Sequence, residues 1–202
     1  MVETAAAPGP SLIYEPASIL ERLPLAEMFP HPQPLEVELG SGDGSFLAAW
    51  AALRPQANHL GVERLLGRLR KLDRKARRIH LSNLRCIRIE AAYFLEYLLP
   101  HHSARAIHVY FPDPWPKRKH RKHRLINAHF TEIAQRALEP RGVVFLRTDD
   151  TNYFAQMREV FAAAAAFEET PTPEDLAGVV TDFERGFNQK GIATLRAAFR
   201  VK

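Results

Sequence analysis

The chain has 202 residues, 46% of them hydrophobic, a length suited to one domain and a content sufficient for a buried core. A formal net charge of +5, concentrated at residues 64–78 and 117–124, points to a polyanionic partner, and no run of roughly 18 apolar residues is present to span a membrane. A single cysteine excludes an internal disulfide and a cysteine zinc cluster, and the start lacks the pattern of a signal peptide, so a soluble cytoplasmic protein is expected.

The first sixteen residues, rich in Ala and Pro, read as a flexible tail ahead of a short helix around residues 17–28. Pro30, Pro32 and Pro34 block further helix and deliver the chain extended into "LEVEL". Short apolar or β-branched runs then predict strands at 35–39, 58–62, 84–89, 105–111 and 142–148. Helices are predicted between and after them at 45–54, 64–81, 91–99, 123–139 and 151–166. "GIATLRAAFRVK" reads as a last strand, reached through a surface stretch "TPTPEDLAG", and "FAAAAAF" at 161–167 as the buried end of a helix. The alternation implies an α/β fold: one domain over residues 1–202, a mostly parallel sheet with helices on both faces.

Within 64–81, Leu65, Leu69, Leu72, Ala76 and Ile79 recur at helical spacing and are expected in the core. Arg64, Arg68, Lys71, Lys75 and Arg78 form an adjacent stripe, either a solvated face or a polyanion contact.

"ELGSGDG" places Gly40, Gly42 and Gly44 between the first predicted strand and a helix, where glycine lets the backbone turn tightly and approach a ligand. The third glycine comes one residue too early for a dinucleotide fingerprint. Glu63, Glu90, Asp113 and Asp149 each close or follow a later strand. In an open parallel sheet ligands bind outside the carboxyl ends of the strands, so glycines and acids converge on one edge. Each acid could also be a helix cap, Asp149 and Asp150 above all.

"VYFPDPWPKRKHRKHRL" sets an Asp between two prolines, then a Trp, then the basic run from Lys117 to Arg124. Here the chain resembles the bacterial tRNA (guanine-N7)-methyltransferase family, from about Leu35 to the C-terminus, together with "ELGSGDG", "GVE" at 61–63, "SNLR" at 82–85, "TD" at 148–149 and the T-x-x-E of "TDFE" at 181–184. The resemblance implies a class I methyltransferase, Rossmann-like fold whose seven-stranded sheet has an antiparallel last strand. It implies an enzyme that uses S-adenosylmethionine to methylate guanine 46 in the variable loop of tRNA.

By the same resemblance Glu38, Gly40 and Gly42 belong to the methionine end of the cofactor, Glu63 to its ribose, and Glu90 with Ala91 to its adenine, Glu90 standing where the family usually has Asp. Asp113 matches the catalytic aspartate, which also borders the cofactor. Lys117, Arg121, Asp149, Thr181, Asp182, Phe183 and Glu184 fall on substrate positions or beside them.

Guanine N7 is already a lone-pair nucleophile, so alignment is the main demand, and a restrained Asp113 accepting hydrogen bonds from the base would meet it. Trp115 is expected either to stack a base or to pack under the loop, and the cations behind it, Arg124 included, to hold phosphates. His101, His102, His120 and His123 lack companions at metal-ligand spacing, and N7 methylation needs no metal. Methylation of a small molecule or protein, and a basic RNA-binding module without catalysis, are the competing readings. Whether the chain acts as a monomer or a homodimer stays open.

Overall fold

The computed structural model describes residues 10–202. The strands are β1 (Ile13–Tyr14), β2 (Leu35–Leu39), β3 (Asn58–Val62), β4 (Leu84–Ile87), β5 (Ala104–Tyr110), β6 (Leu138–Thr148), β7 (Phe167–Thr170) and β8 (Leu195–Val201). The helices are α1 (Leu25–Met28), α2 (Ser45–Leu53), α3 (Leu66–Arg78), α4 (Ala91–Tyr93), α5 (Ala128–Ala137), α6 (Thr151–Ala163), α7 (Glu174–Gly178) and α8 (Asp182–Asn188). A π turn, Phe94–Leu98, continues α4, and a 3-10 turn, Arg118–His123, carries most of the basic run.

The eight strands lie in the order β1-β4-β3-β2-β5-β6-β8-β7. All neighbours are parallel except β8, which runs antiparallel to both β6 and β7. The chain builds outward from β2 through β3 and β4, then returns to the other side of β2 with β5. That reversal opens a crevice at the carboxyl ends of β2 and β5.

Period-two alternation divides each strand between two apolar layers. In "LEVEL" the residues Leu35, Val37 and Leu39 join the layer that holds Phe94, Phe130, Met157 and Phe161. Glu36 and Glu38 project to the opposite side, where α2 and α3 supply Phe46, Trp50, Leu69 and Leu72. β5 splits likewise, Ile107 and Val109 one way and Tyr110 the other.

The structure departs from several sequence expectations. Residues 1–9 of the expected tail lie outside the described residues, but the tail does not run to residue 16: Leu12 is buried and β1 pairs with β4 through Ile13 and Tyr14. Buried Asp73 holds this segment by accepting from the Leu12 N–H at 2.7 Å. The helix expected at 17–28 shrinks to α1, with Pro24 at its start. The sheet has eight strands rather than seven, β1 being the addition. The helix expected from 123 begins at Ala128, because Asn127 is extended and caps it by accepting from Phe130 N–H at 3.0 Å. Leu65 and Ile79 are 48% and 45% exposed rather than core: they flank α3 instead of lying on its inner face. The alanines of "FAAAAAF" are exposed or half-buried, and only the flanking Phe161 and Phe167 are interior.

The polar side of β2 holds a buried cluster. Glu36 accepts from Trp50 Nε1 at 2.6 Å and lies 3.0 Å from His108 Nε2, while His108 Nδ1 is 2.8 Å from the Tyr110 hydroxyl. Burial alone would raise Glu36, but the bonds from His108 and Trp50 outweigh it and bring its pKa to about 2. Nearby His59 is fully buried, and desolvation lowers its pKa to about 4. Between pH 6.5 and 4 the unfolded chain therefore takes up a proton at His59 that the folded chain refuses, so this residue makes stability fall as pH drops through that window. The expected loss is about 3 kcal/mol. Urea titrations at pH 7 and pH 4 should show a smaller loss for His59→Gln than for the parent; equal losses in both proteins would rule His59 out as the cause.

Candidate active site at the carboxyl edge of the sheet

A cavity of about 310 Å³ opens at the crevice between β2 and β5. Gly40 reaches it from the end of β2, Glu63 from β3, Glu90 and Ala91 from beyond β4, and Asp113 from beyond β5. Five residues read from the sequence as cofactor or catalytic positions therefore share one wall-to-wall space. The remainder of the lining includes Leu65, Arg68, Ile89, Tyr110, Phe111, Trp115 and His123.

The glycine loop is built by backbone requirements. Gly40, Gly42 and Gly44 have φ of 79°, 56° and 75°, a region that Cβ-bearing residues seldom adopt. Gly40 and Ser41 donate to the Val62 carbonyl at 2.8 and 2.9 Å, which ties the loop to the end of β3. Glu63 is buried, and each of its oxygens receives one backbone N–H, from Leu65 at 2.7 Å and from Gly42 at 3.1 Å. A carboxylate has about four acceptor sites, so capacity remains for two vicinal hydroxyls.

Glu38 lies behind the loop at 4% exposure, and its Oε2 is a buried oxygen without a hydrogen-bond partner among the described residues. Burial pushes its carboxyl well above the usual range, the charges of Asp43 and Glu63 add to that, and the Arg147 guanidinium opposes it. A cationic group beside Glu38 would favour the ionised form.

Glu90 is exposed, and its side chain caps α4, accepting from Ala92 N–H at 3.0 Å and Tyr93 N–H at 2.8 Å. Glu90 nevertheless lines the cavity beside Ala91, where the sequence expects the adenine contact, and with one N–H on each oxygen it keeps acceptor sites free, as Glu63 does.

Asp113 sits in a loop held at both ends. Phe111 N–H donates to Arg147 O at 2.8 Å, and Arg124 Nε donates to Pro114 O at 2.7 Å. Phe111 and Trp115, on either side of Pro112–Asp113–Pro114, have φ of 50° and 42°, left-handed values costly for bulky side chains and sustained by these anchors. Asp113 lines the cavity, and its side chain is exposed and makes no hydrogen bond or ion pair among the described residues.

Arg124 corrects an expectation. Instead of meeting phosphates it is 2% exposed, donates to Gln156 and Asn152 at 2.6 and 3.1 Å, and lies over the Tyr153 ring at 4.6 Å. Lys117 and Arg121, by contrast, are exposed on or beside the basic turn, next to the cavity wall that Trp115 and His123 form. Trp115 is half-exposed, packing against His120 and His123 while lining the cavity, so it serves as both packing and wall. Asp149 follows β6 half-buried and off the cavity, and the helix cap there is Asp150, which accepts from Tyr153 N–H at 2.7 Å.

Thr181 and Glu184, read from the sequence as substrate positions, lie in the interior. Both are buried and form a capping box at the start of α8, and Glu184 further pairs with Arg147 and Arg196. They hold α8 against the sheet; Asp182 and Phe183, exposed on the same turn, face a neighbouring cleft that includes Gly42. Among the described residues no three of His, Cys, Asp or Glu converge as a metal site, and no helix is long and apolar enough to cross a membrane.

Leu65, Arg68, Tyr110, Phe111 and His123 line the cavity without having been picked out for it. For Leu65 a signal existed: it follows directly on the Glu63 strand end, where an apolar side chain can serve the ligand.

A parallel sheet with β8 antiparallel beside β7, a glycine loop after the first long strand and acids at successive strand ends define a class I methyltransferase fold. The 16S rRNA methyltransferase KamB superposes with a TM-score of 0.65 at 14% identity, covering 88% of this chain and 92% of that one. The aminoglycoside resistance methyltransferase NpmB1 does so with a TM-score of 0.59 at 16% identity, with the same coverage.

The chain belongs to the methyltransferase family whose model, described as "Putative methyltransferase", matches residues 32–197. Curated relatives named tRNA (guanine-N(7)-)-methyltransferase are 39% identical over 130 residues in Chlamydia caviae and 35% identical over 162 residues in Treponema pallidum. These matches cover 64% and 80% of this chain, but only 58% and 65% of the relatives, so the chain spans less than two thirds of their length.

Proposed function

We propose that this chain transfers a methyl group from S-adenosylmethionine to N7 of guanine 46 in the variable loop of tRNA. The observation that carries the reading is the convergence of Gly40, Glu63, Ala91 and Asp113 on one cavity bordered by an exposed basic turn. The names of the relatives supply the substrate class.

The residues present fit that cofactor. Glu63 has acceptor capacity for ribose hydroxyls, and Glu38 offers a buried, unpartnered oxygen beside the glycine loop for a cationic methionine end. Ile89 and Leu65 give apolar walls for an adenine ring next to Ala91. When bound, S-adenosylmethionine supplies an electrophilic sulfonium methyl, which N7 takes with its lone pair as the S–C bond breaks.

The protein's part is alignment. Asp113 accepts from guanine N1–H and N2–H, fixing the base plane and raising electron density at N7 as positive charge develops there. Proline on both sides and the Arg124 and Arg147 anchors keep the carboxylate in place before the base arrives. Lys117 and Arg121 hold backbone phosphates without reading sequence.

Tritium-labelled cofactor offered with unmodified tRNA and, separately, with small-molecule and protein pools tests the reading. Label is expected in the tRNA; label confined to the other pools would overturn it.

A further inference from the structure

Beside the glycine loop lies a second cleft, of about 520 Å³, between α3 and α8. Its composition differs from that of the cavity. α3 contributes Arg68 and Lys71, α8 contributes Phe183 and Phe187, and Lys190 closes the far side. Phe183 is 54% exposed, a large apolar ring set among cations. It stacks toward Phe111 with centroids 6.3 Å apart and planes 26° apart, and toward Phe187 at 6.5 Å and 28°. Phe111 belongs to the cavity wall and Phe187 to the cleft, so roughly parallel rings lead from one space to the other, and Arg68 lines both.

The charges in the cleft are unevenly committed. Asp43 is paired with Lys75 at 3.6 Å and Asp182 with Arg185, while Lys71 and Lys190 form no ion pair among the described residues. Exposed aromatic faces between uncommitted cations suit single-stranded nucleic acid, where bases stack on rings and phosphates meet the charges. An acidic peptide would use the cations and leave the rings in water.

We propose that the α3–α8 cleft is a second-nucleotide subsite: a base flanking the methylated guanine stacks on Phe183, its phosphates meet Lys71 and Lys190, and Arg68 sits between the two nucleotides. This rests on the tRNA reading above: it gives Phe183, already in the segment that the resemblance assigns to substrate, a specific role, and it adds Arg68, Lys71 and Lys190, which lie outside that segment. It also gives part of the basic stripe of α3 a ligand.

The test uses the full chain and a fluorescein-labelled single-stranded RNA pentanucleotide, with polarisation measured across a salt series. Lys71→Ala/Lys190→Ala is expected to lower the slope of log Kd against log salt by about 1.4, or 0.7 per phosphate. Phe183→Ala is expected to weaken binding about tenfold to a hundredfold with the slope unchanged. All three side chains are exposed, so folding is preserved in each variant. Wild-type affinity and slope in both variants would overturn the subsite, as would failure of the parent to bind the oligonucleotide. A flatter slope in the lysine variant with no effect of Phe183→Ala would reduce the cleft to a general polyanion contact and overturn it equally. Methylation of tRNA by the same preparation is scored separately: its absence sinks the tRNA reading, while the oligonucleotide measurements still decide the cleft.

Discussion

Asp113→Ala is expected to slow single-turnover methylation of tRNA by about a hundredfold to a thousandfold, the range seen when one preorganised group facing developing charge is removed. The size of the effect follows from how much structure is devoted to this carboxylate. Pro112 and Pro114 restrict the backbone around it, two left-handed aromatic residues bracket it, and hydrogen bonds involving Arg124 and Arg147 tie both ends of the loop to the body. None of these groups depends on the Asp113 side chain, which is exposed and unbonded. Truncation should therefore leave folding intact and change cofactor affinity less than threefold to fivefold, about 1 kcal/mol. Asp113→Asn keeps the shape but replaces one acceptor with a donor facing the donors of the base, so it should fall close to the alanine variant. Near-normal rates in either variant would remove Asp113 from the mechanism.

Arg147→Ala should be strongly destabilising, by about 3–5 kcal/mol, because it takes one of two cationic partners from the buried Glu184 carboxylate and leaves two carbonyls without their donor. The guanidinium is 1% exposed and donates to the carbonyls of Val179 and Leu176 at 2.7 and 2.5 Å and to Glu184 at 3.1 Å. It also lies over the rings of Tyr110 and Phe46, at 4.4 and 5.4 Å. Through these contacts one side chain at the end of β6 fastens α7 and the start of α8 to the sheet. Domains of this size have stabilities of only about 5–15 kcal/mol, so the loss should appear as a large drop in the urea midpoint. Arg147→Met/Glu184→Gln removes both charges and should recover part of it. A midpoint for Arg147→Ala within experimental error of the parent would show that the network contributes nothing.

The central strands are readable because each is a short apolar run bounded by turn residues, and their order alone puts glycines and acids at one edge. β7 is not, since "FEET" carries two charges in four residues and takes its place only by pairing with β8. β1 is two residues long and exists through Asp73, 61 positions from Leu12.

The same distinction runs through the site. Asp113 and Glu63 are legible because local sequence marks them, Asp113 by the proline on either side and Glu63 by its place at a strand end. Arg124 is not, because its partners lie at residues 114, 152 and 156, and nothing in a run of eight basic residues marks which one turns inward. The T-x-x-E spacing of Thr181 and Glu184 is also a capping-box signal, and that box forms at the start of α8. Glu90 fits both of its readings, capping α4 while lining the cavity.

In the proposed reaction one cavity presents a guanine edge to a methyl donor, with Asp113 holding the base. That is checked by mapping the modified nucleotide after reaction of the chain with an unmodified tRNA transcript: borohydride reduction of the N7-methylguanine ring followed by aniline cleaves the RNA at that position. A single modified guanine is expected, at N7, in the variable loop, and it should be lost in Asp113→Ala. Methyl groups on another base or another atom, or an unchanged pattern in the variant, would contradict it.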